Sequence, residues 1–304
     1  MYFLKRLITL APVLLVISFL AFLLVRLAPG GPFDKERKPA SPEVEKRLQA
    51  KYHLDEPVLV QYGRFLGGLV QGDLGPSLKF RNHTVTDIIA QGLPVSLTLG
   101  VLSFCFAMGL GLPLGVYAAI RRGGWQDHAS SFAAMLAVCI PGFVMGPFLV
   151  MVLAVHLGWF PVALWETPMH AVLPVIALGV YFAGKIARLM REGMTDVLQE
   201  PFITTARAKG LSDWAVYWRH AFRLGVLPVV SYSGPLLADL LTGSFVVENI
   251  FQIPGIGVFM VNSSLNRDYP MVVGLVMVYA VLLVGLNLVV DAVYAALDPR
   301  VRYS

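Results

Sequence analysis

The sequence predicts an all-α, polytopic membrane protein with six transmembrane helices, and three observations carry that expectation. Of its 304 residues, 57% are apolar and only 14% charged, against roughly 25% in an ordinary soluble domain. A water-soluble fold of this length could not cover its surface with so few charges. Several charge-free stretches exceed the ~20 residues that an α-helix needs to cross the hydrocarbon core. The basic residues fall between those stretches in an alternating pattern, as topogenic charge does.

The first span is about Leu7 to Leu27 and follows Lys5 and Arg6. Its apolar run is too long for a signal-peptide core and leads into Arg26-Leu-Ala-Pro-Gly-Gly-Pro rather than a small-x-small cleavage site, so it reads as a retained signal anchor. The second span lies within the charge-free run Ile88 to Ile120, from about Pro94. The third runs from about Ser130 to Leu157, the fourth from Ala171 to Met190, the fifth from Leu224 to Val247 and the sixth from Met271 to Leu297.

Lys and Arg are retained on the cytoplasmic side. Lys5 and Arg6 precede the first span, Arg121 and Arg122 follow the second, and Arg300 and Arg302 follow the sixth. From the end of the fourth span to the start of the fifth are counted Lys185, Arg188, Arg191, Arg207, Lys209, Arg219 and Arg223. The segment between spans three and four has no Lys or Arg, and that between five and six has Arg267. Both termini are therefore expected in the cytoplasm. The net charge of +5 does not point to nucleic acid, because the basic residues form no aromatic-interleaved patch.

Ala28 to Leu93 carries nine basic and eight acidic residues. Long loops translocate largely regardless of charge, so an extracytoplasmic subdomain is expected here. Ser41-Pro42-Glu43 suits a helix start, and Tyr62, Phe65, Leu66 and Leu69 recur at helical spacing. The chain thus divides into a first helix (residues 1–27), an extracytoplasmic subdomain (28–93) and a five-helix core (94–304) containing a cytoplasmic segment, 192–223.

No G-x-x-x-x-G-K-[ST] loop, H-E-x-x-H helix or nucleophile with a partnered base is present. The chain has no motif for ATP hydrolysis and offers no catalytic residues. Gly109, Gly111 and Gly115 lie inside an apolar span beside Pro113, where close helix packing is expected, as for Gly142 and Gly146. Cys105 and Cys139 sit in apolar runs and act as small hydrophobes. His156 and His170 flank an outer turn, but two separated histidines make no metal site, and Trp159 and Trp165 there suit the aromatic belt. Glu248 and Asp291, near opposite ends of the last two spans, are expected to be structural or interfacial.

The cytoplasmic segment between spans four and five is the most informative. It reads Glu200, Pro201, Phe202, Ile203, Thr204, Thr205, Ala206, Arg207, Ala208, Lys209, Gly210, Leu211. Pro201 suits a first helical position, Phe202, Ile203 and Ala206 give a short apolar face, and Gly210 suits the left-handed position that ends a helix. Ser212 or Asp213 then caps a second helix carrying Trp214, Tyr217 and Trp218. By physics alone this is either a basic amphipathic loop on anionic lipid or a docking knob whose small residues admit a partner closely.

Ala206-Arg-Ala-Lys-Gly210-Leu, followed by His220 and Leu227-Pro228, resembles the coupling-helix motif of bacterial binding-protein-dependent ABC importer permeases, in their peptide and nickel branch. The resemblance extends over the whole chain, through Arg26-Leu-Ala-Pro-Gly-Gly-Pro, Tyr62, Gly72-Asp73-Leu-Gly75-Pro-Ser, Pro254-Gly255-Ile-Gly257, Asn266-Arg267-Asp268-Tyr269, Asp291 and Asp298-Pro299-Arg300. The segment Leu27 to Asp87 is most similar to the first, B-type, permease subunit of oligopeptide importers. Thr204-Thr205-Ala206 stand where the general motif begins Glu-Ala-Ala, and Leu227-Pro228 lies further from Gly210 than in the general form; both fit the peptide branch.

The resemblance implies a permease subunit of the inner membrane that binds no cofactor itself. It implies a second homologous permease, two cytoplasmic ATPases that carry ATP and Mg, and an extracytoplasmic peptide-binding protein. Glu200 to Leu211 would be the ATPase-coupling segment. Oligopeptides are the implied substrate, with dipeptides, nickel or a nickel chelate, glutathione or another small solute left open. A stand-alone channel or ion-driven transporter is the reading from another class, and would need several intramembrane ionisable residues. Asp239 is the clearly central one, at a position where related oligopeptide subunits carry a small or apolar residue. It is expected either to bond a neighbouring helix or to meet a cationic group in the substrate path.

Overall fold

The computed structural model describes residues 2–27, 46–47, 49–50, 52–80, 82–242 and 245–297, with side chains placed except at 2–10, 242 and 290–297. Helices dominate, and among the described residues the one β feature is an isolated bridge between Pro76 and Thr84. In order they are α1 (Tyr2–Leu27), α2 (Val58–Val70), α3 (Val85–Ile120), α4 (Trp125–Cys139), α5 (Gly142–Leu149) continuing as a π-helical turn (Val150–His156), α6 (Pro168–Val197) and α7 (Pro201–Ala208). A broken helical run follows (Asp213–Ala215, π-helical Val216–Ala221, Phe222–Gly225), then α8 (Leu227–Thr242), α9 (Phe245–Ile250), α10 (Ile256–Asn266) and α11 (Tyr269–Leu297).

Four of these stretches are long and apolar enough to cross a membrane: Val85–Ile120, Pro168–Val197, Leu227–Ile250 and Tyr269–Val289. The bent pair α4 and α5 adds a fifth, and α1 is apolar over Ala11–Leu27. The expected unbroken third span, Ser130 to Leu157, needs correction, because α4 and the helix after it meet at 100°. Pro141 has no N–H to continue the ladder and forces Ile140 out of the helical region, to φ −88 and ψ 113. The helix start expected at Ser41 to Glu43 and the motif Asp298-Pro299-Arg300 lie outside the described residues, as does the side chain of Asp291.

The chain forms two compact units. The first comprises residues 1–95 and 255–284. Its core joins Val85, Ile88 and Ile89 of α3 to Ile256 of α10 and to Met271 and Leu275 of α11, all buried. Asp268, fully buried, accepts from the Ser77 hydroxyl and from the Leu78 and Lys79 amides, which ties the stretch before α3 to the turn before α11. Tyr62 of α2 stacks edge-on against Phe19 and Phe22 of α1 and places its hydroxyl 2.8 Å from Ser18 Oγ. Arg26, Asp73, Gly75 and Tyr269, from three of the quoted motifs, line a single cavity of about 210 Å³. There the Arg26 guanidinium lies 3.5 Å above the Phe22 ring and donates to Gln61 Oε1.

The second unit comprises residues 96–254 and 285–304 and is organised around α6. Gly111 and Gly115 of α3 sit on Ala183, Ile186, Ala187 and Met190 of α6 so closely that a methyl group would not fit, whereas Gly109 faces open space. Gly184 likewise meets the Ala134 carbonyl of α4. The far end of α6 is fixed by a bidentate ion pair, Arg191 Nε to Asp127 Oδ1 at 2.5 Å and Nη2 to Oδ2 at 2.8 Å. Asp127 also accepts from the Gly123 amide, which completes a buried carboxylate. Glu248 is fully buried and accepts from Ser96 Oγ at 2.7 Å.

Candidate functional site

Glu200 to Leu211 forms a short helix with one buried side. Pro201 occupies the first position of α7, where its missing N–H costs nothing, and the preceding Glu200 is extended. Ile203 and Ala206 are 1% and 7% exposed and pack α7 against the π-helical run Val216–Ala221. Phe202, Thr204, Thr205, Arg207, Ala208, Lys209, Gly210 and Leu211 all face outward. The expected apolar face therefore splits. A residue one step along a helix is rotated by ~100°, so Phe202 stands on the open side, 39% exposed.

The stop after α7 is built by Gly210 at φ +81. Its amide donates to the Arg207 carbonyl and the Leu211 amide to the Ala206 carbonyl, the paired pattern that closes a helix around a left-handed residue. Ser212 then accepts from the Ala215 amide, and Arg207 bridges to Asp213 at 3.4 Å. The result is a small projection with a fixed exit, carrying an exposed Phe–Thr–Thr–Arg–Ala–Lys surface.

Asp239 is not part of this projection. It lies on α8, exposed, and bonds to no other described residue. The helix–helix hydrogen bond offered as one reading is thus not made within the described chain.

The structure adds a residue that the charge pattern concealed. Lys185, counted with the cytoplasmic basic residues, is inside α6, twelve positions before its end at Val197. Its Nζ lies 4.5 Å from the Tyr181 ring centre, 6.0 Å from that of Phe182 and 5.8 Å from that of Tyr232 on α8. A cation at the bilayer centre costs ~2.5–3.5 kcal/mol on insertion scales, and a cation–π contact at a partly exposed site returns ~0.5–1 kcal/mol. The aromatic seat offsets part of such a cost. The detectable signal was Tyr181 four residues before Lys185, one helical turn on the same face.

The two histidines considered for metal have structural partners. His156 Nδ1 meets the Met151 carbonyl at 2.7 Å, and His170 Nδ1 meets the Thr167 amide and hydroxyl to cap α6. No group of three or more His, Cys, Asp or Glu among the described residues is placed to hold a metal.

Residues 111–303 match the family described as "Binding-protein-dependent transport system inner membrane component", and residues 1–100 match its N-terminal companion. The chain belongs to this family. As a member it is 43% identical over 301 residues to the oligopeptide transport system permease protein OppB of Haemophilus influenzae, covering 98% of each chain. It is 43% identical over 301 residues to the dipeptide transport system permease protein DppB of Bacillus subtilis, covering 99% of this chain and 97% of that one. OppB of Salmonella typhimurium is 41% identical over 304 residues and 99% of both. Among solved structures, the inward-facing MetNI methionine ABC transporter aligns with a TM-score of 0.58 at 19% identity, over 69% of this chain and 96% of that one. That likeness shows the fold alone, an all-α helical arrangement shared with that transporter.

Proposed function

We propose that this chain is one of two transmembrane subunits of an ATP-driven importer of oligopeptides. The observation that carries this reading is the 41–43% identity, over essentially the whole chain, to permeases named for peptide transport. Dipeptides are the second reading, favoured by the DppB relative standing at the same identity as an OppB one.

In this reading both termini are cytoplasmic and α7 seats in a groove of a partner ATPase, which binds ATP and Mg. The exposed face of α7 makes the contact, and its buried Ile203 and Ala206 pass the movement to the run leading into α8. Closure of the ATPases swings the helices as bodies and opens the path outward; hydrolysis releases substrate inward. The switch needs a partner that binds two states unequally, a difference supplied by the closed ATPases and a docked extracytoplasmic binding protein. This chain is the non-catalytic member. Asp239, a carboxylate on the open side of α8, meets the ammonium end of a peptide in the path.

The test is growth of a strain lacking this chain on an oligopeptide as sole source of a required amino acid. Loss of growth, restored by the gene, is expected; undiminished growth on di- and oligopeptides alike refutes the reading.

A further inference from the structure

The direction in which Lys185 points is informative. A lysine inside a membrane helix normally reaches toward the nearer polar end, here the end where Arg188, Arg191 and Glu192 follow on α6. Instead its amino group folds back over Tyr181, one turn toward the apolar half of the helix. Tyr181, Lys185 and Tyr232 are all half-buried, so the cation and its aromatic seat lie at the open surface of the second unit rather than in its core. No described carboxylate forms an ion pair with Lys185, and hydrocarbon gives an ammonium ion no partner. A seat of this kind holds the cation without neutralising it, and leaves it free to meet an anion.

A complementary charge stands on the same open side. On α8, Ser231, Pro235 and Asp239 form an exposed stripe at four-residue spacing, and Tyr232 borders it. Tyr232 and Asp239 are seven residues apart, so they project from one side of the helix about 10.5 Å from each other along its axis. The aromatic seat of Lys185 thus marks one end of a strip, and a carboxylate marks the other. Extended polypeptide covers ~3.3–3.6 Å per residue, so the strip matches a chain of about three residues with a charge at each terminus.

We infer that Lys185, seated on Tyr181 and Tyr232, receives the terminal carboxylate of a short peptide whose ammonium terminus is held at Asp239. The inference rests on the reading of the chain as a peptide-importer subunit. It adds a carboxylate-recognising residue and a class of substrate: zwitterionic peptides of about three residues with both ends free.

The test uses the complete importer in lipid vesicles, with trialanine and trialanine amide as probes. Lys185→Gln is expected to lower the ratio of free-acid to amide uptake about tenfold relative to the unaltered importer, and Lys185→Arg to restore it. ATPase stimulation by the binding protein in the same vesicles reports that each variant is assembled. An unchanged ratio overturns the inference, as does a parallel loss of both probes, which would mean that Lys185 serves packing or an acid of the partner permease. If the unaltered importer accumulates no peptide, the underlying reading fails, and that result is distinguishable because it precedes any comparison of variants.

Discussion

Three glycines of α3 offer a matched experiment on how the second unit holds together. A methyl group added at Gly115 would stand 2.5 Å from the Ala187 carbonyl oxygen and 2.6 Å from Met190 Cβ, whereas one added at Gly109 would meet nothing within 4 Å. Ordinary carbon contacts lie at about 3.5–4.0 Å, so Gly115→Ala must push α3 and α6 apart by about 1 Å. Overpacking of this kind costs ~1–3 kcal/mol. Replacing glycine by alanine in mid-helix also gains ~0.5–1 kcal/mol in propensity, but that gain is common to both sites. The difference in stability between Gly109→Ala and Gly115→Ala therefore isolates the packing cost. Thermal unfolding of both variants in one detergent at one scan rate should place Gly115→Ala lower by the equivalent of ~1–3 kcal/mol. Equal melting would refute the close approach of α3 and α6. Gly111→Ala, 2.7 Å from the Ala183 carbonyl oxygen, should behave like Gly115→Ala.

Other perturbations follow from the same geometry. Asp127→Ala leaves Arg191, whose side chain is 31% exposed, without its bidentate partner; breaking a fully buried pair costs up to ~3–5 kcal/mol, and because Arg191 reaches the surface, melting in detergent should show a loss below that range. Gly210→Ala places a Cβ at φ +81, costing ~1–2 kcal/mol locally, and should reduce ATP-dependent uptake, while Gly210→Pro should abolish it with the protein still in the membrane; normal transport in the proline variant counts against docking through α7. Asp239→Asn should raise the peptide concentration for half-maximal uptake about tenfold with assembly intact, and unchanged uptake removes Asp239 from the path. Asp268→Asn weakens the clamp on Ser77, Leu78 and Lys79, so limited proteolysis should cut the first unit sooner.

Hydropathy made the membrane fold and most of its helices legible, because a bilayer crossing demands charge-free runs of a length that soluble helices seldom reach. The end of α7 was equally legible: Gly210 is the residue that a left-handed stop requires. The break at Ile140 was not. Pro141 was plain in the sequence, but proline inside a membrane helix is compatible with a mild kink, and nothing local separates that from the 100° bend. The outward position of Phe202 was not legible either, because a short helix with three apolar residues does not say which of them faces its neighbour, and the packing of Ile203 and Ala206 decides it. The seat of Lys185 was not legible for a related reason. Counting charges by segment sets orientation, but the rotation of an apolar helix is fixed by packing, and only the structure joins Lys185 to Tyr232 on another helix.

Reconstitution bears most directly on the mechanism, since the chain is held to lack a motor of its own and to be driven through α7. Labelled trialanine uptake should be compared in vesicles holding this chain alone and in vesicles holding it with its partner permease, ATPases and binding protein. Accumulation against a gradient only in the complete assembly, and only with ATP, is expected. Accumulation by the chain alone would contradict the account.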